Sequence, residues 1–146
     1  MPDVNQWYYS DKVKEHFFKP RNFVTEDPKK GEFNAAGEAG SLACGDIMKV
    51  WLKIDKKTER VKEFKWRTWG CATAIASTSM FSEMVTEKGG MKISDALKIT
   101  PKDIVLRLGG VPLRKFHCSV LIDQAFRNAA ENYRKSVLGT HFWRID

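Results

Sequence analysis

The stretch "IMKVWLKIDKKTERVKEFKWRTW", residues 47–69, predicts a β-hairpin and with it the class of fold. Every second residue between 47 and 55 is apolar, and the run at 61–69 follows after the polar segment "DKKTER". An apolar residue at every second position is typical of a strand with one buried face. We therefore expect two antiparallel strands, with Phe64 and Trp66 on the buried side.

Two short helices are predicted from their capping residues. The pattern of residues 9–18 is typical of a helix with Ser10 as N-cap, and this helix should end before Pro20 because the residue preceding a proline avoids the α region. In "TPKD", residues 100–103, a threonine N-cap is followed by proline at the first helical position and by an acid in the first turn. A second short helix should run from there to Gly109.

Two longer helices are predicted from apolar stripes that recur with the helical period. The first stripe follows residue 71, in a helix that should end at Gly89 and Gly90, and consists of Ala76, Met80, Phe81, Met84 and Val85. The second lies in residues 118–135 and consists of Leu121, Ile122, Ala125, Phe126, Ala129 and Tyr133. Strands followed by helices indicate an α+β fold, in which helices cover an antiparallel sheet.

Length and composition are those of one globular unit. The chain has 146 residues, of which 42% are hydrophobic and 29% charged, so we expect a single domain at 1–136 and a C-terminal tail at 137–146. The first ten residues lack the basic and apolar regions of a secretory signal, and no apolar run approaches the roughly 18 residues of a membrane span. We therefore expect a cytoplasmic protein that does not bind a membrane.

The net charge of +7 raises the question of a nucleic-acid partner. The 25 lysines and arginines are spread along the chain among 18 acidic residues, and no helix-turn-helix, zinc-finger or ribonucleoprotein motif is present. The charge is better explained by a solvated basic surface. Nucleic acid is therefore not an expected partner, whereas docking to an acidic protein surface stays open.

Each of the three cysteines lies at a junction between predicted elements. Cys44 precedes the hairpin in "LACGD" and is followed by Asp46. Cys71 lies between strand and helix in "TWGCATA", and Cys118 opens the last helix directly after His117. An odd number of widely spaced cysteines without a secretory signal argues for reduced thiols. A helix N-terminus favours thiolate over thiol, and it favours neutral imidazole, whose lone pair is free for a metal.

These residues alone leave several functions open. Free cysteines are most often inert parts of a core. Thiols with a carboxylate and an imidazole are equally consistent with a soft metal site, although the close Cys-x-x-Cys pairs of a zinc site are missing. A structural zinc protein and a nucleic-acid binder stay possible, as does an enzyme in which His117 activates Cys118 as nucleophile. Such a dyad is awkward, because adjacent residues of a helix point in different directions.

Four segments of the chain resemble, in order, those of iron-sulfur cluster assembly scaffolds of the IscU/NifU type. They are "YSDKVKEHFFKPRN", "GEAGSLACGDIMKVWLKID", "WGCATAIASTSMFSEMV" and "HCSVLIDQAFRNAAENYR". The stretches "GSLACGD" and "GGVPLRKFHCSVL" are closest to the N-terminal domain of NifU. The similarity covers about residues 8–135, and the three cysteine motifs together are specific.

The resemblance implies a scaffold, not an enzyme, on which a labile [2Fe-2S] cluster is built from Fe(II) and sulfur and then transferred to apo-proteins. It implies that Cys44, Cys71 and Cys118 are thiolate ligands, with either Asp46 or His117 in the fourth position. A cysteine desulfurase would supply the sulfur as persulfide, and Cys118 would accept it. Zn(II) can occupy the same site, and a homodimer can share the bound cluster. The implied fold is a three-stranded antiparallel sheet covered on one side by helices.

Two departures from the family pattern are visible. Ala72 follows Cys71 where the family commonly has glycine, which predicts a stiffer loop. The chaperone-recognition motif LPPxK is replaced by "VPLRK" at 111–115, so handover to an Hsp70-type chaperone stays an open question. The additional domains of full NifU proteins are not in this sequence, and the resemblance therefore predicts a stand-alone scaffold.

Overall fold

The computed structural model describes residues 10–29, 31–41, 46–69, 72–110 and 117–138. Its helices are α1 (Asp11–Phe18), α2 (Ala72–Thr86), α3 (Ile93–Ala96), α4 (Pro101–Arg107) and α5 (His117–Leu138). A 3₁₀ turn, Glu87–Gly89, follows α2. The strands are β1 (Ala35–Ser41), β2 (Asp46–Ile54) and β3 (Val61–Thr68).

The strands form one antiparallel sheet in the order β1-β2-β3. β2 and β3 are the predicted hairpin, in which Val50 stands opposite Trp66. The apolar side of this hairpin is fully buried, and Phe64 and Trp66 lie on it as predicted. The period-two pattern is thus the direct cause of a sheet with one face in the core and one face open.

The core lies between the sheet and helices α2 and α5. Phe64 of β3, Phe81 of α2 and Phe126 of α5 meet there, with neighbouring ring centroids between 4.9 and 5.9 Å apart. The predicted stripe of α5 is buried, except that Leu121 is only partly so. Burial of aromatic rings of this size makes the three-way contact a major source of stability.

Helix α2 is buried almost all round, whereas the sequence predicted a single buried stripe. β3, α1 and α5 all pack against it, and four of its hydroxyl residues are buried: Ser77, Thr78, Ser79 and Ser82. The Thr78 hydroxyl donates to the Ala74 carbonyl at 2.7 Å, and the Ser82 hydroxyl donates to the Ser79 carbonyl at 2.8 Å. Such bonds allow a central helix to contain polar residues, because buried polar groups need partners.

Strand β1 follows from no pattern in its residues, and only the resemblance implied a third strand. Its sequence, "AAGEAGS", consists mostly of small residues. Helix α5 packs directly against it: the side-chain amides of Asn128 and Asn132 donate to the carbonyls of Glu38 and Ala36 at 2.8 and 2.7 Å. A helix at this distance leaves no room for large side chains.

Both edge strands of the sheet are partly occupied by other parts of the chain. Beyond the two asparagine bonds to β1, the N–H of Trp66 in β3 donates to the Asn22 carbonyl at 3.3 Å, and the Trp66 carbonyl accepts from Val24 at 3.0 Å. The N–H of Val61 donates to the Met91 carbonyl at 2.8 Å. Occupied edges reduce the tendency of a sheet to pair with another chain.

The predicted helix ends agree with the structure at most positions. Ser10 caps α1 by accepting from Val13, and Thr100 and Asp103 form a capping box at α4. Helix α5 continues to Leu138 and so includes the first two residues that were assigned to the C-terminal tail. Residues 139–146 lie outside the described part of the chain. The boundary between domain and tail therefore stays a prediction. No helix among the described residues is long and apolar enough to cross a membrane.

Candidate functional site

The β1–β2 hairpin fixes both ends of the segment that contains Cys44. Ser41, the last residue of β1, pairs with Asp46, the first residue of β2. The connection between them, residues 42–45, lies outside the described residues. Because the two strands pair up to this point, both ends of the connection lie at one end of the sheet. We call this the junction end.

Strand β3 ends at the same junction end. Thr68, its last residue, pairs with Met48, and the N–H of Trp69 donates to the Ile47 carbonyl at 3.2 Å. Cys71 follows Trp69 by two residues and lies outside the described part of the chain. Helix α2 begins at Ala72, so its start lies within about 11 Å of Trp69 along the chain.

Helix α5 runs antiparallel to β1 and begins at the junction end. Asn132 bonds to Ala36, and Asn128, one turn closer to the N-terminus of the helix, bonds to Glu38. Toward its N-terminus the helix therefore approaches Ser41, the last residue of β1. The start of α5 lies about 16 Å before Asn128 at 1.5 Å per residue, whereas Ser41 lies only about 10 Å beyond Glu38. The first turn of α5 therefore extends just past the end of β1.

The predicted site residues fall on these three junctions. Asp46 opens β2, and His117 and Cys118 are the first two residues of α5; the structure describes the main chain of these three. Cys44 and Cys71 lie outside the described residues, although the residues described on either side of each belong to the junction end. The ligand set itself stays a prediction. A helix start supplies unpaired N–H groups and the positive end of the dipole, which favour thiolate there.

The acids and histidines away from the junction end do not form a competing metal site in the described ranges. No three histidine, cysteine, aspartate or glutamate residues described there are grouped so that they could hold a metal ion. Several acids pair with cations instead: Asp27 contacts Lys49 and Arg67 at 3.3 and 3.2 Å, and Glu87 contacts Arg107 at 2.8 Å. The part of the chain that is described thus offers no substitute for the junction end.

Sequence reasoning missed a buried histidine. His16 of α1 is 2% exposed. Its Nδ1 lies 2.7 Å from the Ser79 hydroxyl of α2, and its Nε2 lies 3.7 Å from the Glu83 carboxylate of the same helix. His16 therefore ties α1 to the helix that follows Cys71. The signal was present, because His16 comes three residues after Val13 and so shares its buried face.

The charges around His16 favour its neutral form. Burial lowers the pKa of His16 first, and the Arg21 guanidinium and the Lys12 ammonium lower it further. The carboxylates of Glu83 and Glu15 act in the opposite direction without reversing the shift. A neutral imidazole can share one proton with the Ser79 hydroxyl, so the bond between α1 and α2 does not require a charged histidine.

A groove of about 570 Å³ lies at the opposite end of the sheet. Among the residues lining it are Glu59 of the β2–β3 turn, Leu97 after α3, and Arg127 and Tyr133 of α5. Tyr133 is buried, and this burial, with Glu59 nearby, raises the pKa of its hydroxyl. The groove is built on the C-terminal half of α5, far from the cysteine junctions, and is not part of the candidate site.

Known sequences resemble this chain over most of its length. The family model for the "NifU-like N terminal domain" matches residues 8–139. The nitrogen fixation protein NifU of Trichormus azollae is 39% identical over 137 residues, which are 92% of this chain and 45% of that protein. The iron-sulfur cluster assembly scaffold protein IscU 1 of Archaeoglobus fulgidus is 42% identical over 125 residues, which are 86% of this chain and 76% of that protein. The chain thus spans less than half the length of the NifU relatives it matches.

Solved structures share the fold. The crystal structure of a nitrogen-fixing NifU-like protein (N-terminal) from Brucella abortus has a TM-score of 0.66 and 16% identity, and covers 91% of this chain and 99% of that one. A putative iron-sulfur cluster assembly scaffold protein for the SUF system from Fervidobacterium islandicum AW-1 has a TM-score of 0.59 and 16% identity, and covers 83% of this chain and 95% of that one. These likenesses confirm the predicted α+β fold with its three-stranded antiparallel sheet and helices.

Proposed function

Since the chain belongs to the family of the NifU-like N-terminal domain, we propose that it is a scaffold for the assembly of iron-sulfur clusters. A labile [2Fe-2S] cluster is assembled on it from Fe(II) and from persulfide sulfur of a cysteine desulfurase, and then passes to apo-proteins. The main support is positional: the described residues around Cys44 and Cys71 and the first turn of α5 all lie at one end of the sheet. Relatives that are named as scaffold proteins support the same function.

The proposed ligands are the thiolates of Cys44, Cys71 and Cys118, one from each junction. Asp46 or His117 completes the coordination. Iron in such clusters prefers thiolates, and a harder oxygen or an imidazole in the fourth position makes an asymmetric shell that binds less firmly than four thiolates. Ligands that come from three separate junctions also allow release when one junction moves. Both properties suit a cluster that is passed on.

Cys118 is the proposed acceptor of sulfur. Its thiolate attacks the outer sulfur of the donor's persulfide, the donor's S–S bond breaks, the donor cysteine leaves as thiolate, and the outer sulfur remains on Cys118 as a new persulfide. Its place in the first turn of α5 favours the thiolate this step needs. Reducing two such sulfurs to sulfide takes four electrons; two ferrous ions supply two on becoming ferric, and a thiol reductant supplies the other two.

The competing function with the same ligands is that of a structural zinc protein. Structural zinc sites hold up folds that do not form without metal. Here the core between the sheet, α2 and α5 is extensive and apolar, and it runs along the whole sheet, from Met48 near the junction end to Ile54 at the other end. The core therefore supports a fold that forms without metal, with Zn(II) as an occupant of the cluster site.

The test is anaerobic incubation of the protein with ferrous iron, cysteine and a cysteine desulfurase, followed by desalting, an absorption spectrum and analysis of iron and sulfide. A scaffold should show visible bands and nearly equal amounts of iron and sulfide, and the colour should pass to an apo-ferredoxin added later. The triple variant with serine at positions 44, 71 and 118 is the control. Size-exclusion chromatography before and after loading tests whether a homodimer shares the cluster. Protein that retains zinc and never sulfide would replace this proposal with that of a structural zinc protein.

A further inference from the structure

The sheet face opposite the helices carries an exposed tryptophan, Trp69, whose ring is contacted by two cations, Lys49 and Arg67. Lys65 and Arg67 of β3 point away from the buried face, and Trp69 follows them with 50% of its surface exposed. The Arg67 guanidinium carbon lies 4.5 Å from the centroid of the indole ring, and the Lys49 ammonium lies 5.8 Å from it. We call Lys49, Lys65, Arg67 and Trp69 the Trp69 surface.

Asp27 forms ion pairs with both cations that contact the indole ring, Lys49 and Arg67. Its carboxylate accepts from the Lys49 ammonium at 3.3 Å and from the Arg67 guanidinium at 3.2 Å. Because both cations contact Trp69 and the same carboxylate, the orientation of the indole ring is restricted. A preorganised side chain loses little conformational freedom on binding, and tryptophan and arginine are enriched among residues that dominate binding energies. This arrangement is typical of an interaction surface.

The Trp69 surface borders the junction end. Trp69 precedes Cys71 by two residues, and its N–H is bonded to the carbonyl of Ile47, the residue that follows Asp46. A protein that covers Trp69 therefore stands beside the junctions that contain the cysteines. The groove lies at the other end of the sheet, so a protein bound there would not stand beside these junctions.

The charge of the Trp69 surface selects among partners. Its three cations lie beside two acids, Asp27 and Glu38, and Lys65 has no ion pair within the described ranges, so the surface carries a small excess of positive charge. Acidic residues on the partner satisfy this excess. A nucleic acid fits less well, because its evenly spaced phosphates need a continuous row of cations, and Glu38 and Glu63 interrupt the cations on this face.

We propose that the Trp69 surface is the docking site of a sulfur-donating protein that presents acidic residues around an apolar contact. This inference rests on the proposed function and adds to it the surface that brings the donor to the cysteines. Opposite charges accelerate the encounter, and Trp69 supplies the apolar contact. Affinity should therefore fall with rising salt and with loss of the indole ring.

The test measures the dissociation constant of the full chain with a purified cysteine desulfurase, by calorimetry at several salt concentrations. Trp69→Ala and Lys65→Glu should each raise Kd about tenfold or more, the range expected when a central contact is removed or its charge reversed. Lys57→Glu is the matched control: Lys57 is exposed in the β2–β3 turn, at the other end of the hairpin. This variant should leave Kd unchanged.

Two further measurements separate docking from folding and from chemistry. Melting temperatures show whether the variants are folded, and assembly from ferrous iron and inorganic sulfide, without the desulfurase, should proceed equally in all of them. The docking surface is wrong if the wild type does not bind the desulfurase, if both variants bind as the wild type does, or if Lys57→Glu weakens binding as much. Tighter binding of an RNA oligonucleotide, lost in the same variants, would also overturn it. Failure of the wild type to assemble a cluster even from inorganic sulfide would instead contradict the proposed function.

Discussion

Gly37 of β1 lies directly against the main chain of Ala129 in α5. A methyl group at Gly37 would also come within 2.6 Å of the Ala125 carbonyl oxygen. The strand and the helix therefore approach each other as closely as their main chains allow. Since β1 leads to Cys44 and Cys118 lies in the first turn of α5, this contact sets the distance between two of the three junctions.

The first prediction concerns this contact. Gly37→Ala should lower the free energy of unfolding by about 3 kcal/mol or more, at or above the upper range for overpacking, because the added methyl meets main-chain atoms that cannot turn away. Urea unfolding followed by tryptophan fluorescence gives the value. Gly89→Ala is the control: nothing lies within 4 Å of its added methyl and only its positive φ is strained, so a cost of about 1–2 kcal/mol is expected. Equal losses at both positions would show that the close packing at Gly37 is unimportant.

The second prediction concerns pH. Burial and Arg21 lower the pKa of His16 in the folded state, whereas an unfolded histidine titrates near 6.5. Below about pH 6.5 the unfolded state therefore binds more protons than the folded state, so stability falls as pH falls, by at most about 1.4 kcal/mol per pH unit from this group. His16→Gln removes this titration and should flatten the dependence between about pH 7 and pH 5.

The measurement for His16 is a series of urea titrations across that pH range. His117→Gln measures separately what the histidine at the start of α5 contributes, since the helix dipole there also favours neutral imidazole. Parallel pH curves for His16→Gln and the wild type would contradict the account of His16 as a buried neutral group.

The third prediction concerns sulfur transfer. Cys118→Ser should abolish persulfide uptake from a desulfurase, because serine has no thiolate to attack the outer sulfur. Mass spectrometry of the intact protein, with and without a thiol reductant, detects the added sulfur, and circular dichroism should show an unchanged fold. Cys44→Ser should still accept sulfur if Cys118 is the acceptor. Persulfide on a different cysteine in the Cys118→Ser protein would assign the role elsewhere.

The fourth prediction concerns release of the cluster. Asp46→Ala should lengthen the lifetime of the reconstituted cluster in the presence of an apo-ferredoxin, since Asp46 is proposed to keep the coordination shell loose. The decay of the visible bands gives the lifetime, and Asp95→Ala, in α3, is the control. A lifetime that is unchanged or shorter in Asp46→Ala would remove this role from Asp46.

The fifth prediction separates the scaffold from the structural zinc protein. Removal of bound metal by a chelator should lower the melting temperature by about 4 °C or less, equivalent to about 1 kcal/mol for a chain of this size. The reason is that the apolar core between sheet, α2 and α5 extends along the whole sheet, from Met48 to Ile54, and its packing needs no metal. Loss of the cooperative melting transition on chelation would favour a structural zinc protein.

Much of the fold could be predicted because its signals are local. The alternation in β2 and β3, the cap at Thr100 and the stripe of α5 each depend on residues close in sequence. Strand β1 carries no such signal: its small residues are required by α5, which is distant in sequence and close in space. The full burial of α2 is likewise a property of its neighbours, α1 above all, and its serines suggest an exposed face until those neighbours are known.

The elements that flank the candidate site were predictable to the same extent, whereas the ligand set itself stays a prediction. The three cysteines stand out because each lies at a junction between predicted elements, and the structure confirms the strand that follows Cys44 and the strand and helix on either side of Cys71. His16 was missed because the only local signal, its spacing of three residues from the apolar Val13, is weak for a polar side chain. Its burial depends on Ser79 and Glu83 of α2, which no local pattern links to it.

The occupied edges of the sheet restrict how this protein can recruit others. Asn128 and Asn132 already bond to β1, and Trp66 of β3 already bonds to residues 22 and 24. A visiting peptide has little room to extend the sheet as an added strand, the mode called β-augmentation. We therefore expect binding partners to recognise side chains more than main chain, which makes them sensitive to single substitutions, and the tendency to edge-to-edge polymerisation is reduced.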